Sequence, residues 1–213
     1  MSQAPIWTGV QVFMQSAIAS AKTISALTNA SPGQVTSAGH GYANNDYFLL
    51  TAQGMTEVNN RVFRAAGVAT DTLQLAGEDT TNYGVFSAGT IKKLTFGNTF
   101  NTFANVSVSG GEPEKIDATT IHDNQKKIRF GMFSALEFSI TAQWDLNDAG
   151  FQAVIAASKI KAERAFMFKF QSGEIMVFNG NVAASGTPTG GTGKIAETPI
   201  NITAIGAATY FTS

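Results

Sequence analysis

Two histidines, His40 and His122, come first among residues able to do chemistry. A zinc site or a catalytic triad would need them to converge with further ligands or a nucleophile, and no helical pattern carries a paired spacing. His40, in AGHGY, reads as a turn residue and His122 as an exposed loop residue. Asp145 and Asp148 are candidate paired acids, but three residues apart at the start of a helical pattern they read as capping residues. The stretch GTPTGGTGK invites comparison with a phosphate-binding loop. That loop needs a glycine five residues before the Gly-Lys pair and Ser or Thr after it. Pro188 and Ile195 stand at those positions, and the stretch does not join a strand to a helix, so it reads as a flexible loop. The chain has no cysteine, which removes disulfides, thiol catalysis, iron–sulfur clusters and cysteine-ligated zinc. Two sequons, at Asn105 and Asn201, carry no weight, since the N-terminus shows no basic leader and apolar core. No catalytic constellation and no cofactor or metal site emerges, so the chain is not expected to be an enzyme.

One polar segment needs a different explanation. Gly111–Phe130, GEPEKIDATTIHDNQKKIRF, lies between two strand-like stretches and concentrates charge. A polar loop of about twenty residues is uncommon in a compact domain and is usually functional. Its charges are mixed: Glu112, Glu114, Asp117 and Asp123 against Lys115, Lys126, Lys127 and Arg129. Mixed sign suits pairing with another copy of the same molecule. The segment is therefore expected to be an arm that reaches a neighbouring subunit and becomes ordered on assembly.

The elements around it are mostly strands. Val10, Val12 and Met14 alternate with polar residues, and AKTISALT continues as a second strand. Short strands are expected at Gln34–Ser37, Tyr47–Ala52, Arg61–Ala66 and Thr72–Leu75, separated by the turn clusters GHGYANND and AGEDTTNYG. Such spacing suggests a small β-barrel or meander of its own. Beyond Ile91, LEFSITAQW is the clearest strand. Leu136, Phe138, Ile140, Ala142 and Trp144 line one face, and Glu137, Ser139, Thr141 and Gln143 the other. The period then switches: Phe151, Val154, Ile155 and Ser158 mark one amphipathic helix, capped by Asn147 or Asp145. AFMFKF and EIMVFNG form a hairpin, and TPINITAIGAATYF closes with Ile200, Ile202 and Ala204 inward.

Composition agrees with an assembling protein. Charged residues are 14% of the 213 residues, against roughly 25% in soluble domains. Large obligate interfaces are apolar, so much of the outside is expected to be covered by neighbours. A net charge of −1 argues against gripping nucleic acid through its phosphates. No apolar run of about eighteen residues suggests a membrane helix.

The order of these stretches resembles the tail tube proteins of long-tailed bacteriophages. In that family a strand leads into a polar loop, and a strand ending in Trp-Asp, a helix and a late hairpin follow. Asp117, Thr119, His122 and Asp123 fill the loop, Trp144 and Asp145 the strand end, and Phe178, Gly180 and Val182 the hairpin. The middle segment resembles a small β module that recurs inside phage virion proteins and is similar to a half-domain of ubiquitin-activating enzymes. Gly41, Asp46, Gly54, Met55, Asn59 and Phe63 fit it; without cysteine, no activation chemistry is implied.

The resemblance implies a mainly β fold: a tail-tube-type β-sandwich or barrel over residues 1–28 and 91–213, with one flanking helix and an inserted all-β module over 29–90. It implies homo-hexameric rings that stack into a tube, the conduit for DNA ejection in a non-contractile tail. Its partners would be further copies, the tape measure protein, the tail terminator and distal-tail proteins. DNA would pass without specific binding. The chain would be assembled in the host cytoplasm and end in the virion. Asp117, Asp123, Lys126, Lys127 and Arg129 are the expected inter-subunit loop residues, and Glu137, Ser139, Thr141 and Gln143 the expected lumen lining. A tail terminator, a distal-tail ring component or a carbohydrate-binding sandwich are the alternatives.

Overall fold

The computed structural model describes residues 6–212. In chain order the strands are β1 (Gln11–Ile18), β2 (Lys22–Ile24), β3 (Ala26–Leu27), β4 (Gln34–Thr36), β5 (Tyr47–Gln53), β6 (Arg61–Ala66), β7 (Thr72–Leu75) and β8 (Ala88–Phe100). There follow β9 (Phe103–Ser109), β10 (Pro113–Asp117), β11 (Ile128–Phe133), β12 (Glu137–Gln143), the helix α1 (Ala149–Lys159), β13 (Glu163–Lys169), β14 (Ile175–Ala184), β15 (Glu197–Ala204) and β16 (Thr209–Phe211). Strand accounts for 48% of the fold and helix for 7%, so the class is mainly β with one helix. All the pairings are antiparallel. One continuous path runs β3-β4-β7-β6-β5-β8-β1-β13-β14-β15-β12-β9, with β16 added to β14 and β2 to β8. β10 and β11 pair only with each other.

Alternation places the core. Val12 and Met14 of β1 face Phe168 and Phe166 of β13 in register, and Phe166 faces Phe178 of β14. Phe138 of β12, two strands along the path from β14, stacks on Phe178 at 4.3 Å and 3°. The sheet therefore curls until its apolar face meets itself, and Phe138, Phe166, Phe168 and Phe178 form a buried aromatic layer. Aromatic pairs add roughly 0.5–1.5 kcal/mol beyond the area they bury.

The helix closes one side of this core with Phe151, Val154 and Ala157. Its N-cap is Asp148, whose carboxylate accepts from the Phe151 N–H at 2.7 Å. Of the two aspartates expected to cap, Asp148 does so, while Asp145 accepts from the Asn147 N–H, at 2.8 Å, in the turn before the helix. Asp148 wins because it stands directly before the first helical residue, where an orphan N–H lies within reach. Gly150 lets the helix sit close to β8, since a Cβ there would lie 2.3 Å from the Thr99 carbonyl oxygen.

β4 to β7 fall where the short strands are expected, and enclose a second buried cluster that includes Phe48, Leu50, Phe63 and Leu73. They are not hung on a loose tether. β8 runs for thirteen residues without a break. Its first half pairs with β5 and its second half with β1. The Arg61 guanidinium, on β6, donates to both Glu78 carboxylate oxygens, at 2.5 and 3.0 Å. It also reaches the Glu57 carbonyl and Thr209 Oγ1 on β16. Tyr83 donates its hydroxyl to the same Glu78 carboxylate at 2.7 Å.

Candidate assembly surfaces

The polar segment is more regular than its composition suggests. Its ends form the β10–β11 hairpin, with Lys115 opposite Phe130, Ile116 opposite Arg129 and Asp117 opposite Ile128. The strand period is hard to see in the sequence because a bulge between Pro113 and Lys115 shifts the pairing. Gly110 sets the hairpin's exit with φ 78°, and a Cβ there would lie 2.0 Å from the Ala135 carbonyl oxygen.

Four of the five expected loop residues stabilise the hairpin tip from within. Asp117 accepts from the Thr119 N–H at 2.9 Å. Thr120 donates its N–H and hydroxyl to Asp123, each at 2.9 Å. Lys127 pairs with Asp123, and Lys126 lies 3.6 Å from Asp117. The Thr119 hydroxyl holds the Asp117 carboxyl below its ordinary range, and the Lys127 ammonium does the same for Asp123. Arg129 has no ion pair among the described residues.

The residues missed in the sequence are the apolar ones. Ile128 and Phe130 lie on one face of β11, and the bulge brings Phe133, opposite Pro113, rather than Met132 onto that face. Phe130 is 68% exposed, Met132 83% and Ile121, at the tip, 96%. Phe133 is exposed as well. An isolated two-stranded hairpin is marginal in water, and one with bare aromatic residues is more so. The available signal was the apolar pair Ile128 and Phe130, which the neighbouring lysines masked and the bulge cut short.

On β12, Phe138, Ile140 and Ala142 are buried, while Glu137, Ser139 and Gln143 are exposed and Thr141 half-exposed. Register extends this polar face sideways. Ser109, Ser107 and Asn105 of β9 stand beside Glu137, Ser139 and Thr141. Thr203, Asn201 and Glu197 of β15 continue it on the other side. Ser139 and Asn201 are joined by a hydrogen bond of 3.1 Å. Glu137 and Glu197 are the charges among these facing positions, and no Lys or Arg joins them. β9 ends the strand path, so among the described residues its outer edge is unpaired.

The remaining candidates settle into structural places. His40 is buried, and its Nδ1 accepts from the Tyr42 N–H at 3.0 Å. His122 is exposed on the hairpin tip. Trp144 packs partly buried against the core and donates to the Gly186 carbonyl at 2.9 Å. Among the described residues no group of three or more His, Asp or Glu is placed to hold a metal ion, and no helix is long and apolar enough to cross a membrane.

An open sheet edge, a bare amphipathic hairpin and a broad polar face are the surfaces this mainly β chain leaves exposed among the described residues. A family comparison identifies it further. Residues 53–213 match the phage tail tube protein (TTP) family, and the chain belongs to that family. It is thus a structural, non-enzymatic component of the phage tail. A search among curated proteins finds no match.

Proposed function

We propose that copies of this chain close into hexameric rings, that the rings stack into the tail tube, and that the β10–β11 hairpin is the arm that joins neighbours. The observation carrying this reading is the bare hairpin. Fully burying a fully exposed side chain of this size contributes about 1.5–3 kcal/mol, so covering what Ile128, Phe130, Met132 and Phe133 still expose contributes at most roughly 6–12 kcal/mol together. That is comparable to the ~4–15 kcal/mol lost when two bodies associate. Each subunit both gives and receives an arm, so the contacts repeat around a closed ring. The internal bonds of Asp117, Asp123, Lys126 and Lys127 pre-shape the tip and lower the ordering cost of docking.

In this reading the polar face of Glu137, Ser139, Thr141 and Gln143 lines the lumen. A surface of hydroxyls, amides and two acids offers phosphates no cation, so DNA slides through during ejection. Residues 29–90 act as an insertion on the tube's outside, supported by a buried cluster that they share with Ile24, Leu27 and Ile91 of the flanking strands. An external insertion fits an unsheathed, non-contractile tail. The tape measure, terminator and distal-tail proteins would meet the lumen and the two tube ends, after assembly in the host cytoplasm.

End-on electron micrographs of the assembled protein, rotationally averaged, test the ring. Sixfold symmetry is expected; another symmetry would overturn the hexamer. Phe130→Asp is expected to remain folded and fail to polymerise. Normal tubes from that variant would remove the arm from the account.

A further inference from the structure

The groove that receives the hairpin can be located. An apolar channel of about 400 Å³ opens between the end strand β9 and its neighbour β12 on one side and β14 and β16 on the other. Trp7, Val108, Phe170, Met176 and Tyr210 line it, and Trp7, Val108 and Tyr210 are exposed in the single chain. The lining contains one charged side chain, Glu174. The Ser172 hydroxyl donates to its carboxylate and holds it below the ordinary range, so Glu174 is an anion at neutral pH.

The apolar face of the hairpin has the opposite pattern. Phe130 and Ile128 are its centre, and Lys115 stands directly opposite Phe130. Asp117, the other charge on that face, is already engaged by Thr119 and Lys126. Lys115 has no ion pair among the described residues. One side therefore offers aromatic and aliphatic groups with a free cation, and the other a greasy channel with one anion at its rim.

We infer that the hairpin of one copy docks in the β9/β12–β14/β16 groove of a second copy, with Phe130 in the channel and Lys115 against Glu174. This rests on the proposed self-assembly and names its acceptor site. Lys115 and Glu174 then supply register, because an ion pair at the rim discriminates between sliding positions more than it adds affinity. The hairpin's root at Gly110 and Ser134 lies beside Val108 and Leu136 of its own groove, and the hairpin is fixed there by Gly111 N–H to Ser134 carbonyl and Ser134 N–H to Glu112 carbonyl bonds. The acceptor is accordingly a neighbour's groove.

Charge reversal and cross-linking test the pairing. Lys115→Glu and Glu174→Lys should each raise the concentration needed for tubes about tenfold, and the double reversal should restore most of it. Lys115→Cys with Glu174→Cys, in a chain with no other cysteine, should give a ladder of disulfide-linked oligomers from mild oxidation of assembled tubes. Unfolding curves confirm that each variant is folded, as both positions lie at the surface. A double reversal no better than the singles would overturn the pairing. So would tubes that give no ladder, or cysteines that link only within one chain. Those results would leave self-assembly standing. Wild-type protein that never forms tubes would instead remove the proposed function, and this docking with it.

Discussion

Arg61 offers the most demanding test of the packing. Its side chain is 9% exposed and that of Glu78 is 13%, so the pair is largely out of water. Arg61→Ala removes both carboxylate contacts, the bond to the Glu57 carbonyl and the bond to Thr209. Glu78 is left with the Tyr83 hydroxyl alone. Breaking one side of a buried pair costs about 3–5 kcal/mol, because the stranded charge keeps its desolvation penalty. For a domain of this size each kcal/mol moves Tm by roughly 2–4 °C, so the variant should melt about 6–20 °C lower. Arg61→Met with Glu78→Leu removes both charges and should recover most of the loss, since apolar replacement of a buried pair is often neutral or better. Calorimetry and urea unfolding on monomeric protein measure both. A loss below about 1 kcal/mol for the single variant would refute the reasoning, as would a double variant equally unstable. Two separated transitions in the Arg61→Ala variant would show that this network couples β4–β7 to the rest of the chain.

Other consequences are simpler. Asp148→Ala removes the helix cap and should cost about 1 kcal/mol, visible as a Tm drop of a few degrees. Phe178→Ala empties the centre of the aromatic layer and should cost about 3–5 kcal/mol in urea unfolding. The Asp117 and Asp123 carboxyls are held below their ordinary range, so the order they give the hairpin tip is present above that range. It should be lost as pH falls through the lowered values, and NMR of the Thr119 and Thr120 amides between pH 7 and 2 should show their bonds released only at the acid end. Ser139→Lys with Thr141→Lys, placed in phage, should slow DNA ejection while tubes still form; unchanged ejection would take this face out of the lumen.

Strands with one buried face were legible because burial forces alternation: Phe138, Ile140 and Ala142, or Ile200, Ile202 and Ala204, stand out against polar neighbours. The helix was legible from its change of period, and of the candidate caps Asp148 takes the place while Asn147 and Asp145 lie in the turn before it. What escaped depends on long-range partners. The Arg61–Glu78–Tyr83–Thr209 network joins β6, the β7–β8 connection and β16, and no local spacing announces it. β8 crosses residues 90 and 91 in the middle of a strand because Thr90 and Ile91 carry no turn chemistry. The hairpin was hidden for a different reason. Its apolar residues have no partner within one chain, so they lie among lysines and read as a polar arm. Those exposed residues fit the proposal that a second copy completes the surface.

The claim at the centre is that this surface is completed by further copies of the same chain. Electron microscopy of the purified wild-type protein, over a rising concentration series, tests it most directly. Long open-ended tubes of uniform width are predicted. Single closed rings would point to a terminator or distal-tail component, and particles that remain monomeric at the highest concentration would contradict the account.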